Sequence, residues 1–151
     1  DENEIVLMGI YRRGIPLAYQ IAENIKKNYD IKVSVGALDV TPYRDDLDER
    51  ADTFPALDPH FDVSVKGKIV VLIDDVIYTG RTVRAAMDAL VEQGRPKAIK
   101  LAVLIDRGHR ELPIRPDFVG KNIPTSHKEM IEVRLPEYDG VKEVAILGPA
   151  E

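Results

Sequence analysis

The amino-acid sequence predicts an α/β protein with a central, mostly parallel sheet that is flanked by helices. Ile69–Ile73 is a run of apolar, mostly β-branched residues, which is typical of a strand buried on both faces. After a short loop, Val83–Gln93 carries apolar residues at helical spacing. Glu4–Ile10 and Ile15–Asn28 repeat this order of strand, loop and helix. Because parallel strands are joined by crossovers, usually helices, the two units together predict a parallel sheet.

Shorter elements complete the prediction. The second helix should end at Gly94, a typical helix-ending residue, and Pro96 prevents it from continuing. Asp139-Gly140 is predicted to form a hairpin turn between the last two strands. The remaining strands are expected at Lys32–Val40, Ala98–Ile105, Phe118–Lys121, Ile131–Leu135 and Val141–Ile146.

Length and composition indicate a single globular domain. The chain has 151 residues, 44% of them hydrophobic and 31% charged, and it lacks cysteine, which excludes disulfides and thiolate sites. No apolar run is long enough to span a membrane and no signal peptide is visible, so we expect a cytoplasmic protein. The net charge of −5 disfavours indiscriminate nucleic-acid binding. Because the chain starts at Asp1 and reaches a strand almost at once, we expect that an N-terminal segment is missing.

The central strand is followed by a pattern that predicts a sugar-phosphate site. Thr79-Gly80-Arg81-Thr82 leads into a helix, and free N–H groups at a helix N-terminus bind phosphate. Asp74 and Asp75, at the predicted end of the strand, would repel a bare phosphate. Ribose hydroxyls or a hydrated Mg²⁺ between the carboxylates and the phosphate would remove this conflict. The alternative is an Asp that ends a strand and a Thr that caps a helix, without any ligand.

Two further stretches carry charge. Tyr11-Arg12-Arg13-Gly14 lies between the first strand and the first helix, where it would suit a second anionic group or would be a solvated basic turn. Arg107–Lys128 holds five basic and two acidic residues, so this segment has a positive net charge although the whole chain has a negative one. Surface salt bridges or contacts between subunits would explain that balance equally well.

Thr41–Val65 is long, polar and irregular, so it is either a functional loop or disordered.

These motifs resemble a known family. Ile69–Thr82 is similar to the phosphoribosyl pyrophosphate signature of the type I phosphoribosyltransferases. Tyr43–Leu47 and Asp106–Arg115 are similar to one branch, the bifunctional pyrimidine operon attenuation proteins that are also uracil phosphoribosyltransferases. The resemblance extends from Gly9 to about Ile146 and implies the type I phosphoribosyltransferase fold. It also implies a flexible lid at about 41–65 and a small C-terminal hood at about 107–147.

The resemblance implies an activity and its partners. Uracil and phosphoribosyl pyrophosphate would give UMP and pyrophosphate, with Mg²⁺ as cofactor. UMP or UTP would control binding to pyrimidine operon leader RNA, and the protein would form a homo-oligomer, a dimer or larger. The central motif is shared with purine phosphoribosyltransferases, which remain the competing enzyme class. A regulator that binds nucleotide and RNA with little turnover is the competing class without an enzyme.

The resemblance also implies roles for individual residues. The ribose and its Mg²⁺ would be held by Asp74 and Asp75, and the lid would close with Tyr43 and Arg44. Arg12 stands where the family usually has Thr, so the hydroxyl of that Thr is absent. The 5′-phosphate would be bound by the phosphate loop, Val76, Ile77, Tyr78, Thr79, Gly80, Arg81 and Thr82, and the pyrophosphate by the pyrophosphate loop, Tyr11, Arg12, Arg13 and Gly14. The nucleobase would be read by Arg107, Met130 and Ile131, and RNA by His109, Arg110, Arg115 and Lys121.

Overall fold

The structure, a computed structural model, describes residues 4–40 and 63–148. The elements are β1 (Ile5–Ile10), α1 (Gly14–Tyr29), β2 (Ser34–Leu38), β3 (Ile69–Ile77), α2 (Arg81–Gln93), β4 (Ala98–Asp106), β5 (Phe118–Asn122), β6 (Met130–Arg134), α3 (Pro136–Asp139) and β7 (Glu143–Leu147). Five of the strands form a central sheet in the order β2-β1-β3-β4-β5, in which every neighbouring pair is parallel. A separate antiparallel pair, β6 and β7, follows it.

The central strand is buried on both faces, as its unbroken apolar sequence predicts. Val70 and Leu72 belong to the larger core, which α2 covers with Val83, Ala86 and Leu90. Ile73 belongs to a second core on the side of α1, together with Leu7 and Ala18. Because helices cover both faces of the strand, apolar side chains are favoured at every position rather than at alternate ones.

The carboxyl ends of the strands meet at one edge of the sheet. Gly9 in β1 pairs with Ile73 in β3, and Ile77 at the end of β3 pairs with Asp106 at the end of β4. In open parallel sheets, ligands bind outside this edge, where the loops leave the strands. The phosphate loop and the pyrophosphate loop both lie at this edge.

Three sequence predictions need correction. The central strand continues through the two aspartates to Ile77, because parallel pairing with β4 continues alongside them. The strand at Phe118–Asn122 is the edge strand of the main sheet and is not part of a hood. The prediction of a hairpin turn at Asp139-Gly140 is wrong, because Asp139 ends the short helix α3 and Gly140 caps it with φ 72°. The resulting C-terminal hairpin (residues 130–147) is therefore β6, α3 and β7.

Part of the predicted lid lies within the described residues. Val65 is buried in the larger core, so the segment is anchored at this end. Tyr43 and Arg44 lie outside the described residues. In the described parts of the chain, no helix has both the length and the apolar character needed to cross a membrane.

Candidate active site

The phosphate loop joins the end of β3 to the start of α2 across Tyr78, Thr79 and Gly80. Gly80 caps the helix with φ 95°, a left-handed conformation that side chains disfavour. The first turn of α2 has N–H groups without carbonyl partners in the helix, as every helix does. One of them, the N–H of Arg81, donates to Oγ1 of Thr79 at 3.2 Å. The loop lines a cavity of about 310 Å³ that also includes Asp74.

The two aspartates have fixed orientations at the end of β3. Oδ1 of Asp74 accepts the N–H of Asp75 at 2.8 Å, and Oδ1 of Asp75 accepts the N–H of Val76 at the same distance. Asp74 is buried, whereas Asp75 is half-buried. An ionised carboxylate has about four acceptor positions, so one that holds a backbone N–H can also accept a hydroxyl or a water.

The pyrophosphate loop packs directly on the end of β3. A side-chain carbon at Gly14 would lie 2.2 Å from the carbonyl oxygen of Ile73, so only glycine fits at the first position of α1. This close approach brings Arg12 and Arg13 to the same edge of the sheet as Asp74. The two loops that the sequence predicts to bind anions therefore lie next to each other, and anion binding itself stays a prediction.

Both arginines of the pyrophosphate loop contact the C-terminal hairpin. Arg13 donates through Nε to the carbonyl oxygen of Val133 at 2.9 Å, and through Nη2 to Asp139 at 3.0 Å. The guanidinium of Arg12 lies 4.1 Å from the ring centre of Tyr138. The N–H of Leu135 and the guanidinium of Arg13 together lower the pKa of Asp139. Arg13 therefore faces a carboxylate of the protein in this structure.

Arg107 connects the phosphate loop to the residues that precede the C-terminal hairpin. It is buried and donates to Oγ1 of Thr125 at 3.0 Å and to the carbonyl oxygens of Ser126 and Glu129 at 3.0 and 2.5 Å. Its guanidinium lies 4.1 Å from the ring centre of Tyr78. If Arg107 contacts a nucleobase as predicted, its guanidinium must bind the base and these carbonyl oxygens at the same time.

The other predicted nucleobase residues begin β6. Met130 is 61% exposed, whereas Ile131 is half-buried against Ile105 and Val133. Their side chains therefore differ in access to solvent. A role for their backbone groups in reading the base stays a prediction.

The four predicted RNA residues are not equivalent. His109 is half-buried, with its ring 3.9 Å from that of His127 and its Nε2 hydrogen-bonded to the carbonyl oxygen of Thr125. The guanidinium of Arg110 is bound to the protein on three sides. Arg115 and Lys121 are exposed, and their side chains have no hydrogen bond or ion pair within the described residues. Only these last two have the free charge that phosphate contacts require.

Several partners were not predictable from local sequence patterns. Asp139, interpreted as a turn residue, is the ion partner of Arg13 from 126 positions away along the chain. His127, for which no role was predicted, accepts or donates a 3.1 Å hydrogen bond with the hydroxyl of Tyr78. A basic residue beside a strand end predicts that some acid will lie nearby, but no local pattern identifies which one.

Comparisons with known proteins identify the family. The phosphoribosyl transferase domain matches residues 1–139. The chain is 60% identical over 149 residues to "Bifunctional protein PyrR" of Pelotomaculum thermopropionicum, covering 99% of this chain and 82% of the relative. A protein of the same name from Clostridium perfringens is 55% identical over 144 residues, covering 95% and 81%.

Solved structures agree on the fold. The hypoxanthine phosphoribosyltransferase of Trypanosoma cruzi superimposes with a TM-score of 0.69 at 19% identity, covering 98% of this chain and 78% of that one. At this identity the likeness concerns the fold alone. The predicted fold class and the predicted family are both confirmed: the chain belongs to the phosphoribosyltransferase family and, within it, to the group of bifunctional PyrR proteins.

Proposed function

We propose that the protein is a uracil phosphoribosyltransferase that also regulates pyrimidine operon expression by binding leader RNA. The observation that carries the enzymatic half is the adjacency of two fixed carboxylates, Asp74 and Asp75, to a helix N-terminus shaped by Gly80. A 5-phosphoribosyl group matches both parts. Its phosphate would bind the free N–H groups at the start of α2, and its hydroxyls would bind the carboxylates.

The reaction is a displacement at the anomeric carbon. N1 of uracil forms a bond to C1 of the ribose, the bond from C1 to the pyrophosphate oxygen breaks, and the N1 proton is lost. The transition state has oxocarbenium character, as in glycoside cleavage, so no covalent intermediate on the protein is required. The residues of this chain contribute by holding the ribose and by neutralising the leaving group, with Arg13 as the cation of the pyrophosphate loop.

Mg²⁺ fits this donor set through the substrate. Within residues 4–40 and 63–148, no cluster of three or more acidic, histidine or cysteine side chains could hold a metal by itself. Asp74 and Asp75 would instead hold Mg²⁺ through ribose hydroxyls or water, which is a usual arrangement for this ion. When bound, the metal offsets the charge of the leaving pyrophosphate.

The test of the enzymatic half is a panel of free nucleobases. Wild-type protein is incubated with phosphoribosyl pyrophosphate and Mg²⁺ and with uracil, hypoxanthine, guanine or adenine in turn. We expect nucleotide to form with uracil and not with the purines. Formation of a purine nucleotide instead would assign the protein to the competing enzyme class, and formation of none would leave only a binding protein.

The regulatory half rests on different observations. The curated relatives carry the name "Bifunctional protein PyrR", and Arg115 and Lys121 present exposed charge in an otherwise acidic chain. We propose that UMP or UTP in the active site controls RNA binding on this side. Binding of pyrimidine leader RNA should exceed binding of unrelated RNA of equal length, and equal binding would remove this half of the proposal.

We further propose a lid that closes over the bound donor. Tyr43 and Arg44 would close a lid over the bound donor, which excludes water from a hydrolysable substrate. Hydrogen exchange of residues 41–65 should decrease when phosphoribosyl pyrophosphate and Mg²⁺ are added, and equal protection with and without these ligands would count against a lid. We also propose a cytoplasmic homo-oligomer, whose mass analytical ultracentrifugation would give.

A further inference from the structure

The phosphate loop is hydrogen-bonded to residues 110–114, which are called the brace segment below. The carbonyl oxygen of Thr79 accepts two backbone N–H groups of this segment, from Glu111 at 2.9 Å and from Leu112 at 3.2 Å. The carbonyl oxygen of Tyr78 accepts Nη1 of Arg110 at 2.8 Å. The carbonyl oxygens of Tyr78 and Thr79 are therefore both occupied by donors of the brace segment, whose Glu111 also lines the cavity of the phosphate loop.

Arg110 is the side chain that joins the parts. Besides Tyr78, it donates through Nε to the carbonyl oxygen of Ile114 at 2.9 Å and through Nη2 to Oδ2 of Asp106 at 2.7 Å. Asp106 ends β4, and its Oδ1 accepts the N–H of Gly108 at 3.0 Å. One guanidinium therefore connects the main sheet, the brace segment and the phosphate loop.

The surroundings of Arg110 favour an internal role. Its side chain is 23% exposed and that of Asp106 is 14% exposed, so both ends of the ion pair are largely withdrawn from water. A planar guanidinium that donates in three directions cannot turn toward an outside phosphate without leaving an acceptor unsatisfied. Arg115, only five positions further along the chain, is exposed and has no such contacts within the described residues.

We propose that Arg110 is a positioning residue for the phosphate loop and not an RNA contact. By holding the Tyr78 carbonyl it keeps the loop in the shape that presents N–H groups to a 5′-phosphate. This inference rests on the proposed function, because it assumes that the loop binds the phosphate of a nucleotide or of phosphoribosyl pyrophosphate. It predicts a defect that is specific to ligands carrying that phosphate.

The test compares UMP with uridine, which lacks the phosphate, by isothermal titration calorimetry. Wild-type protein and the variants Arg110→Gln, Arg110→Lys and Arg95→Gln are measured. Arg95 is the matched control, because it is exposed and precedes β4 at the opposite edge of the sheet. We expect Arg110→Gln to weaken UMP binding about tenfold or more, while uridine binding changes little. Arg110→Lys should fall between wild type and Arg110→Gln, because an ammonium replaces only some of the bonds.

Kinetics and RNA binding give two independent readouts. In Arg110→Gln, the KM for phosphoribosyl pyrophosphate should rise more than the KM for uracil. The salt dependence of RNA binding should keep its wild-type slope, since a lost phosphate contact would reduce it by about 0.7–0.9. Arg95→Gln should match wild type in UMP and uridine binding.

Each outcome decides between the two roles of Arg110. Equal UMP affinity in wild type and Arg110→Gln, with a reduced salt slope, would overturn the inference and make Arg110 an RNA contact. If Arg110→Gln does not fold, the same comparison of UMP with uridine is made on Arg110→Lys, and equal losses for both ligands would also overturn it. If wild-type protein itself fails to bind UMP, it is the proposed function that fails.

Discussion

The two loops that are predicted to bind anions occupy equivalent places in the fold but are held by different parts of the protein. Each joins the end of a parallel strand to the start of a helix, and the two lie side by side because β1 and β3 are neighbours. The phosphate loop offers backbone N–H groups and is held by the brace segment of the main domain. The pyrophosphate loop offers the side chains of Arg12 and Arg13, which contact the C-terminal hairpin.

If the proposed function is right, this difference predicts how each half of the donor would be bound. A site made of backbone groups around Gly80 is already shaped before the phosphate arrives, so little rearrangement is needed. The guanidinium of Arg13 is already paired with Asp139, so an arriving pyrophosphate competes with a carboxylate of the protein. We therefore expect binding of the 5′-phosphate to be insensitive to the C-terminal hairpin and binding of pyrophosphate to depend on it.

The largest effect should come from the carboxylates that lie between the two loops. We expect the double variant Asp74→Asn, Asp75→Asn to lose uracil turnover, because ribose and Mg²⁺ would have lost both anionic partners. Its folding should persist, because the amide oxygen of an Asn at each position can still accept the N–H group of the following residue. Removing two neighbouring negative charges should leave the melting temperature equal or higher. Near-normal turnover would contradict the assignment.

The next largest effect should be a loss of stability when the packing of the pyrophosphate loop on β3 is disturbed. Gly14→Ala would place a methyl group 2.2 Å from the carbonyl oxygen of Ile73, so α1 and β3 would have to separate. We expect the free energy of unfolding to fall by about 1–3 kcal/mol, the usual cost of overpacking. Urea denaturation measures it, with Gly148→Ala as the control because nothing lies within 4 Å of the added carbon. Equal stability of the two variants would mean that the loop does not pack on β3 in this way.

A smaller effect should come from releasing Arg13 from its partner. Asp139→Asn keeps an acceptor for the guanidinium but removes the negative charge that competes with pyrophosphate. We expect inhibition by pyrophosphate to strengthen a few-fold, at about the scale of a single partly exposed ion pair. The change should shrink at high salt. UMP binding is the internal control, and a parallel change there would contradict the division between the two loops.

The same carboxylate predicts a pH dependence. The pKa of Asp139 is lower in the folded protein than its ordinary value, through the N–H of Leu135 and the guanidinium of Arg13. Such a group stabilises the fold at a pH above its unfolded pKa, and the contribution is lost as the pH falls through the lower folded pKa. Acid unfolding should therefore be less steep in Asp139→Asn than in wild type. Identical acid profiles of the two proteins would contradict the proposed pairing.

The features that depend on residues close together along the chain, such as strands and helix starts, were predicted from the sequence. Buried parallel strands leave long apolar runs, and the start of α2 is marked by Thr79-Gly80, so the sheet and the phosphate loop were predictable. The continuation of β3 was not, because propensity argues against Asp in a strand, whereas pairing with β4 favours it. The partners of Arg13 and Arg110 depend on how distant segments pack, and charge alone did not distinguish a buried arginine from an exposed one.

The smallest effect concerns RNA and follows from the distinction between Arg110 and its exposed neighbours. If Arg115 and Lys121 contact phosphates, each releases counterions, and the logarithm of the affinity falls with the logarithm of the salt concentration. The double variant Arg115→Gln, Lys121→Gln should reduce that slope by about 1.4–1.8, twice the value for one contact. Leader RNA binding is measured by filter binding or fluorescence anisotropy between about 50 and about 200 mM salt. The mass of the variant in solution must equal that of wild type, since the same residues could instead join subunits. An unchanged slope at unchanged mass would place the RNA surface elsewhere on the protein.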